Sequence, residues 1–212
     1  MVLCLKTRIM RLELKNKNEA FIMKKLLQLA ELIDDKELKN KTIELLKDVQ
    51  ISNMHFKKYK RIEFKNAYGG PSDFHHAYKG GLLEHVYSVT SLCIDIAKNL
   101  EKSYNVKISM DYLISGALLH DIMKIFCFRE SKGNVEHTGV TVDHGIWACC
   151  ELYLRDFPEE VIHIIASHFG PNGPNPPQTI EALILFYADN IDTTIDTLIH
   201  PKKEKVQVVV LK

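Results

Sequence analysis

The feature that most constrains this chain is a His-Asp pair set inside an apolar run. His120 and Asp121 follow Leu113, Ile114, Ala117, Leu118 and Leu119, and Ile122, Met123 and Ile125 come next. Such a run predicts a helix over about 111–127 that is buried on nearly all sides. An imidazole and a carboxylate cost free energy there unless something compensates them. Two compensations are open from the dipeptide alone. One is a hydrogen bond between the pair within a core; the other is a metal ion that takes the imidazole nitrogen and neutralises the acid. Polar residues on the other helices must decide.

The remaining pattern is also helical. Apolar spacing predicts helices over 22–34 and 36–49, which form a hairpin covering one end of a core. A polar, basic connector spans 52–67, and Tyr68 to Asp73 carries the Gly69-Gly70-Pro71 breakers of a loop. Gly80-Gly81 permits a tight turn into a helix whose buried stripe is Leu82, Val86, Val89, Cys93, Ala97 and Leu100, with His85 at its edge. Residues 128–141 read as a loop or short hairpin. Asp143 opens a helix with His144 in its first turn and an expected apolar side of Ile146, Trp147, Cys150 and Leu154. A further helix begins near Pro158 and ends at Ser167-His168. Four prolines exclude helix from 171–178, and a long helix over 179–199 has Asp189 within an apolar stretch. No repeat and no alternation of strands with helices is present, so the fold class expected is all-α. The expected organisation is an extension at 1–22, a helical segment over 23–66 packing on the core, a main domain over 67–200 and a tail at 201–212.

Composition excludes some classes of function. The 212 residues carry a net charge of only +1, with the first 66 basic and the rest acidic. A solvated Lys-rich helix surface explains the basic part as well as a polyanion partner does, so nucleic acid is not the expected partner. Five cysteines (Cys4, Cys93, Cys127, Cys149 and Cys150) lack C-x-x-C spacing and are expected as small buried hydrophobes in a reducing cytoplasm. No segment has the length of a membrane span. Oligomeric state is not written in the pattern; a homo-oligomer is only the commonest case.

The polar residues placed on otherwise apolar helices are His85, His120, Asp121, His144, His168 and Asp189. Side chains from separate helices converging in a core are what a metal site in a helical bundle requires. Four imidazoles and two carboxylates suffice for two divalent ions, with Asp121 the natural bridge. The absence of cysteine from the set argues against a closed structural zinc site. Lys124, one turn after His120, either presents its charge to a substrate phosphate or runs out to solvent. His75, His76 and Lys79 precede the first ligand helix and are candidates for the mouth of the site.

In order, Gly80-Gly81-Leu82-Leu83-Glu84-His85, Leu118-Leu119-His120-Asp121, Asp143-His144, Ala166-Ser167-His168 and Tyr187-Ala188-Asp189-Asn190 resemble the HD superfamily of metal-dependent phosphohydrolases. The resemblance covers about residues 70–195. It implies an HD-domain helical bundle with His85, His120, Asp121 and Asp189 on one metal, and His144 and His168, sharing Asp121, on a second. The chain departs from many HD proteins in having Met123 where they have Gly, which bears on local helix packing and not on the ligands.

The run His75 to His85 with His120 to Lys124 is similar to an archaeal subgroup of this family. That subgroup opens the 2′,3′-cyclic phosphate of 7,8-dihydroneopterin in tetrahydromethanopterin biosynthesis. The resemblance implies two divalent ions, Fe(II) before Mn, Zn or Ni, and a small phosphate ester as substrate. Asp121 and Lys124 would be catalytic, and His76, Lys79 and Lys124 would bind substrate. Phe74, Tyr78 and Tyr187 are candidates to stack on a pterin. The alternatives are a 3′–5′ exoribonuclease or nucleotide phosphohydrolase of the HD class and a non-catalytic, metal-stabilised module for a phosphorylated ligand.

Overall fold

The structure, a computed structural model, describes residues 21–200. The extension over 1–20 and the tail over 201–212 lie outside the described residues. Helix α1 covers 21–30, and α2 spans Lys36–Lys47 with its N-cap Asp35 accepting from Leu38 N. Two short 3₁₀ turns, Met54–Phe56 and Phe64–Asn66, break the connector. Then come α3 (Gly81–Tyr104), α4 (Met110–Leu119), the single turn α5 (Lys124–Cys127) and strands β1 (Phe128–Ser131) and β2 (Asn134–His137). Helices α6 (His144–Tyr153), α7 (Glu159–Ala166) and α8 (Ile180–Ile199) complete the order. The fold class is all-α with one small antiparallel hairpin, turned at Lys132-Gly133, where both residues have positive φ.

Helix α4 is the axis of the fold. Leu113 through Leu119 are all buried, and α4 packs against α2, α3, α7 and α8. Each fully buried leucine in it removes enough apolar surface to favour folding by roughly 2 kcal/mol. The α1–α2 hairpin shares this core through Leu26, Ala30, Ile33, Leu38, Leu45 and Leu46. It is also tied to α4 by polar contacts. Asp111 accepts from Asp34 N and Asp35 N at 2.8 and 2.9 Å, and the Thr42 and Ser115 hydroxyls meet at 2.8 Å.

Three expectations need correction. The helix expected over 111–127 does not run through the His-Asp pair: α4 ends at Leu119, and α5 starts at Lys124. His120 Nδ1 lies 2.8 Å from Ala117 O and donates to it, taking the carbonyl that Asp121 N would otherwise use. The backbone then tightens, with Ile122 N bonded to Leu119 O and Lys124 N to Asp121 O. Met123 is fully buried in that turn.

The second correction concerns α6, whose Ile146, Cys150 and Leu154 are exposed. Its inward face is Trp147, Ala148, Glu151 and Leu152. The rotation of α6 follows His144, which must face Asp121; Trp147, Ala148 and Glu151 lie three, four and seven residues on and share that face. The buried Glu151 is matched by Arg155 and accepts from Ser52 N at 3.0 Å. The third follows from the second: Cys93 and Cys127 are buried, but Cys150 on α6 is exposed.

Candidate metal centre

Six side chains predicted from the sequence come together where α3, the α4–α5 break, the start of α6, the end of α7 and the middle of α8 meet. Two groups have ligand atoms within 4.8 Å of one another: His85, His120 and Asp189, and Asp121, His144 and His168. His85 Nε2 lies 3.3 Å from Asp121 Oδ2, from Asp189 Oδ1 and from His120 Nε2. Asp121 stands between the groups. Its Oδ2 is 3.5 Å from His120 Nε2 and its Oδ1 is 3.0 Å from His144 Nε2.

Hydrogen bonds at Nδ1 turn three of the four imidazoles the same way. His120 sits just past the end of α4 and His168 just past the end of α7. Each donates its Nδ1–H to the carbonyl three residues back, Ala117 O at 2.8 Å and Ile165 O at 2.6 Å. Helix C-termini leave such carbonyls without an intrahelical partner. His85 donates its Nδ1–H to Asp192 Oδ2 at 2.7 Å. All three therefore direct Nε2 into the cluster, where it is the nitrogen a metal would take. His144 is held differently, as the first residue of α6 beside its N-cap Asp143, whose carboxylate accepts from Gly145 N and Ile146 N. Gly145 is required by close approach, because a Cβ there would lie 2.6 Å from His168 Cε1.

The electrostatics separate the two groups. Burial opposes a charge on His85, but Asp121, Asp189 and Asp192 outweigh it and raise its pKa well above the ordinary value. Burial and the neighbouring His120 and His144 press His168 down to about 4. Burial likewise pushes Asp121 upward, yet Lys124, His120, His144 and His85 together hold it well below the carboxylate range. Asp189 is lowered in the same way, by His85 against its burial.

The decisive observation concerns atoms without partners. Both carboxylate oxygens of Asp121 and the Nε2 of His144 are buried and lack a well-aligned hydrogen bond. Lys124 Nζ approaches Asp121 Oδ2 to 2.7 Å. One ammonium and imidazoles that lie close but poorly aligned leave the carboxylate and the converging Nε2 atoms underbonded, and that is costly in a core. A divalent cation satisfies carboxylate and imidazole together, so the residues present fit the metal.

The model of the HD domain matches residues 82–194. The chain belongs to the HD domain family. HD domains of this kind are metal-dependent phosphohydrolases that bind divalent metals. The chain is 43% identical over 176 residues to the dihydroneopterin 2′,3′-cyclic phosphate phosphodiesterase of Methanocaldococcus jannaschii. That match covers 82% of this chain and 70% of the relative. It is also 31% identical over 179 residues to a 3′-5′ exoribonuclease YhaM of Bacillus licheniformis, and 29% over 178 residues to that of Bacillus subtilis. Each exoribonuclease match covers 76% of this chain and 52% of the relative, so the chain spans about half the length of those proteins. No solved structure matches it.

The other site residues expected from the HD domain motifs are placed as follows. Lys124 is buried and paired with Asp121, so it does not run out to solvent. His76 is buried behind His85, in a left-handed backbone conformation (φ 50°). Its Nε2 lies 3.5 Å from Asp192 and 3.6 Å from Asp196, and its backbone N donates to Asp196 Oδ2 at 2.6 Å. Lys79 is exposed and makes no hydrogen bond or ion pair with another of the described residues. The rings of His75 and His76 lie 5.0 and 5.1 Å from that of His85, and the three form a further group with ligand atoms within 4.8 Å of one another. His163 accepts from Gln178 N at 3.1 Å and steadies the proline-rich loop.

Sequence reasoning missed Asp192. It sits one turn after Asp189 on α8, a spacing that places both on one face, and that spacing was the available signal.

Proposed function

We propose that this protein is a cyclic phosphodiesterase that hydrolyses 7,8-dihydroneopterin 2′,3′-cyclic phosphate to the 2′- and 3′-monophosphates. The observation that carries the reading is Asp121, buried and short of partners between two groups of Nε2 atoms. The relative in Methanocaldococcus jannaschii supports the choice of ester. In this reading His85, His120, Asp121 and Asp189 hold one divalent ion, and His144 and His168 with the shared Asp121 hold a second. Fe(II) is our first choice, ahead of Mn, Zn or Ni. Such ions, when bound, lower the pKa of a water, orient it and polarise the phosphoryl oxygens.

The chain supplies the rest. Asp121 offers one oxygen to each ligand group and sets their separation. Lys124 keeps a positive charge beside Asp121, where the phosphoryl oxygens gain negative charge as water adds to phosphorus. Addition of water breaks one of the two ring P–O bonds. The departing 2′- or 3′-oxygen takes up the proton that water gives up, so either monophosphate results. His76 and Lys79 belong to this reading with different weights. His76 braces the wall behind His85, and Lys79, exposed on the loop before α3, is free to meet an anionic substrate. Free, buried Cys93 and Cys127 suit a reducing cytoplasm as the place of action. Among the described residues no helix is long and apolar enough to cross a membrane.

The test is an anaerobic assay of protein loaded with Fe(II) or Mn(II) on the cyclic dihydroneopterin phosphate, 2′,3′-cyclic nucleotides and single-stranded RNA. Ring opening of the pterin ester, with about two ions per chain by elemental analysis, is the expected result. Shortening of RNA without cleavage of any cyclic ester would replace this reading with an exoribonuclease. Bound metal with no turnover of the panel would favour a phosphate-binding module.

A further inference from the structure

The residue immediately after the ligand His168 is an aromatic that the fold keeps out of its core. Phe169 is 44% exposed, whereas His168 beside it is 4% exposed. Its ring centroid lies 4.1 Å from that of His168 at 35°, and 5.5 Å from that of His144 in an edge-on arrangement. The turn that carries it is pinned: Gly170 N donates to Ser167 O at 2.8 Å and Gly173 N to Gly170 O at 2.9 Å. Gly170 is seated directly on the Phe186 ring of α8. A held aromatic with an open face therefore borders the His144–His168 side of the cluster.

Other aromatics near the motifs are placed differently. Tyr78 donates its hydroxyl to Glu84 and lies against His76 and His200, behind the ligands. Tyr187 is exposed but rests on Phe186, with no ligand imidazole beside it.

We infer that Phe169 is the stacking platform for a flat heteroaromatic ring carried by the substrate, and so sets its specificity. This deepens the cyclic phosphodiesterase reading and rests on it. The ester has an anionic end and a planar end joined by a short carbon chain. The imidazole and carboxylate groups suit the first, and an exposed aromatic face one residue away suits the second. Stacking on an aromatic tolerates any planar ring, so a purine should bind there as a pterin does.

The experiment compares wild type with Phe169→Leu and Phe169→Trp on two cyclic esters, guanosine 2′,3′-cyclic phosphate and glycerol 1,2-cyclic phosphate, which has no aromatic ring. Phe169→Leu should raise KM for the nucleotide about tenfold more than for the glycerol ester, and Phe169→Trp should restore it. Equal losses on both esters would overturn the inference and leave Phe169 as a brace for His168. If wild type opens neither these esters nor the cyclic dihydroneopterin phosphate, the cyclic phosphodiesterase reading fails separately. The stacking is then judged by calorimetry of guanosine 3′-monophosphate against glycerol phosphate on Mn(II)-loaded protein. There, Phe169→Leu must weaken the nucleotide selectively, and equal weakening overturns the inference.

Discussion

The two halves of the metal centre use the same ligand types but are supported by opposite surroundings. Around His85 the supporting groups are carboxylates: Asp189 and Asp121 in front, and Asp192 behind on Nδ1. Around His168 they are a backbone carbonyl and two more imidazoles. The carboxylates around His85 favour a proton on it when no metal is bound, whereas burial and the neighbouring imidazoles disfavour one on His168. The first half draws His85 and Asp189 from within the long helices α3 and α8, whereas His144 and His168 of the second lie at helix ends, beside a loop and the exposed Phe169. In the function proposed above each group would hold a cation, and the second group is the one bordered by the exposed Phe169.

That contrast can be broken most severely at the residue both halves share. Asp121→Ala should lose bound metal from both halves and lower turnover by roughly a hundredfold to a thousandfold, the range for removing one electrostatic partner at a reacting centre. Elemental analysis checks it, and full occupancy in this variant would end the bridging assignment. Next in size is Gly145→Ala. The added Cβ has 2.6 Å to His168 Cε1, so the imidazole must move. We expect a cost of about 1–3 kcal/mol and loss of metal from the His144–His168 half alone. Two ions retained at full affinity would show that this half tolerates displacement.

Acid titration of the metal-free protein should expose the opposition between the halves. In the unfolded chain a histidine takes a proton near pH 6.5, but His168 in the fold does not until about 4. Between those values the unfolded state binds more protons, so stability falls as pH falls through that window, by about 3 kcal/mol from this residue. The raised His85 acts in reverse, contributing fully below pH about 6.5 and losing its contribution as pH rises through its folded pKa. Denaturant midpoints across pH 4–7 for wild type and His168→Gln check this: the acid-side loss should shrink in the variant, and an unchanged slope would contradict it. The smallest effect is expected from Asp192→Asn, which weakens the negative partner on His85 Nδ1 while keeping its shape. Metal affinity should fall about 10–100-fold with the fold intact, measured by competition with a chelator. Unchanged affinity would mean that His85 needs no carboxylate behind it.

Isolated polar residues are easy to read against apolar helices. His85, His120, Asp121, His144, His168 and Asp189 stand out because burying each alone is costly, and that cost is visible without coordinates. The direction of a side chain at a helix end is not visible in the same way. His75 and His76 are neighbours in a loop and equally near His85, yet His76 is the one turned to Asp192 and Asp196. Asp192 reads as one acid among several on α8 until His85 is placed against it. In α6 the apolar residues are spread around the helix, so rotation was decided by what His144 must face, and Ile146, Cys150 and Leu154 were left outside.

The His120-Asp121 pair holds both lessons. Sequence alone determined that a histidine and an aspartate enter a core, and that partners on four other elements answer them, because unpaired burial of such groups is not sustained. Only the tertiary structure decided that the helix stops there. His120 takes the Ala117 carbonyl for its own Nδ1–H, and that bond both ends α4 and directs Nε2 inward. A contest between a side chain and the backbone for one carbonyl depends on geometry, so periodicity could not foresee it.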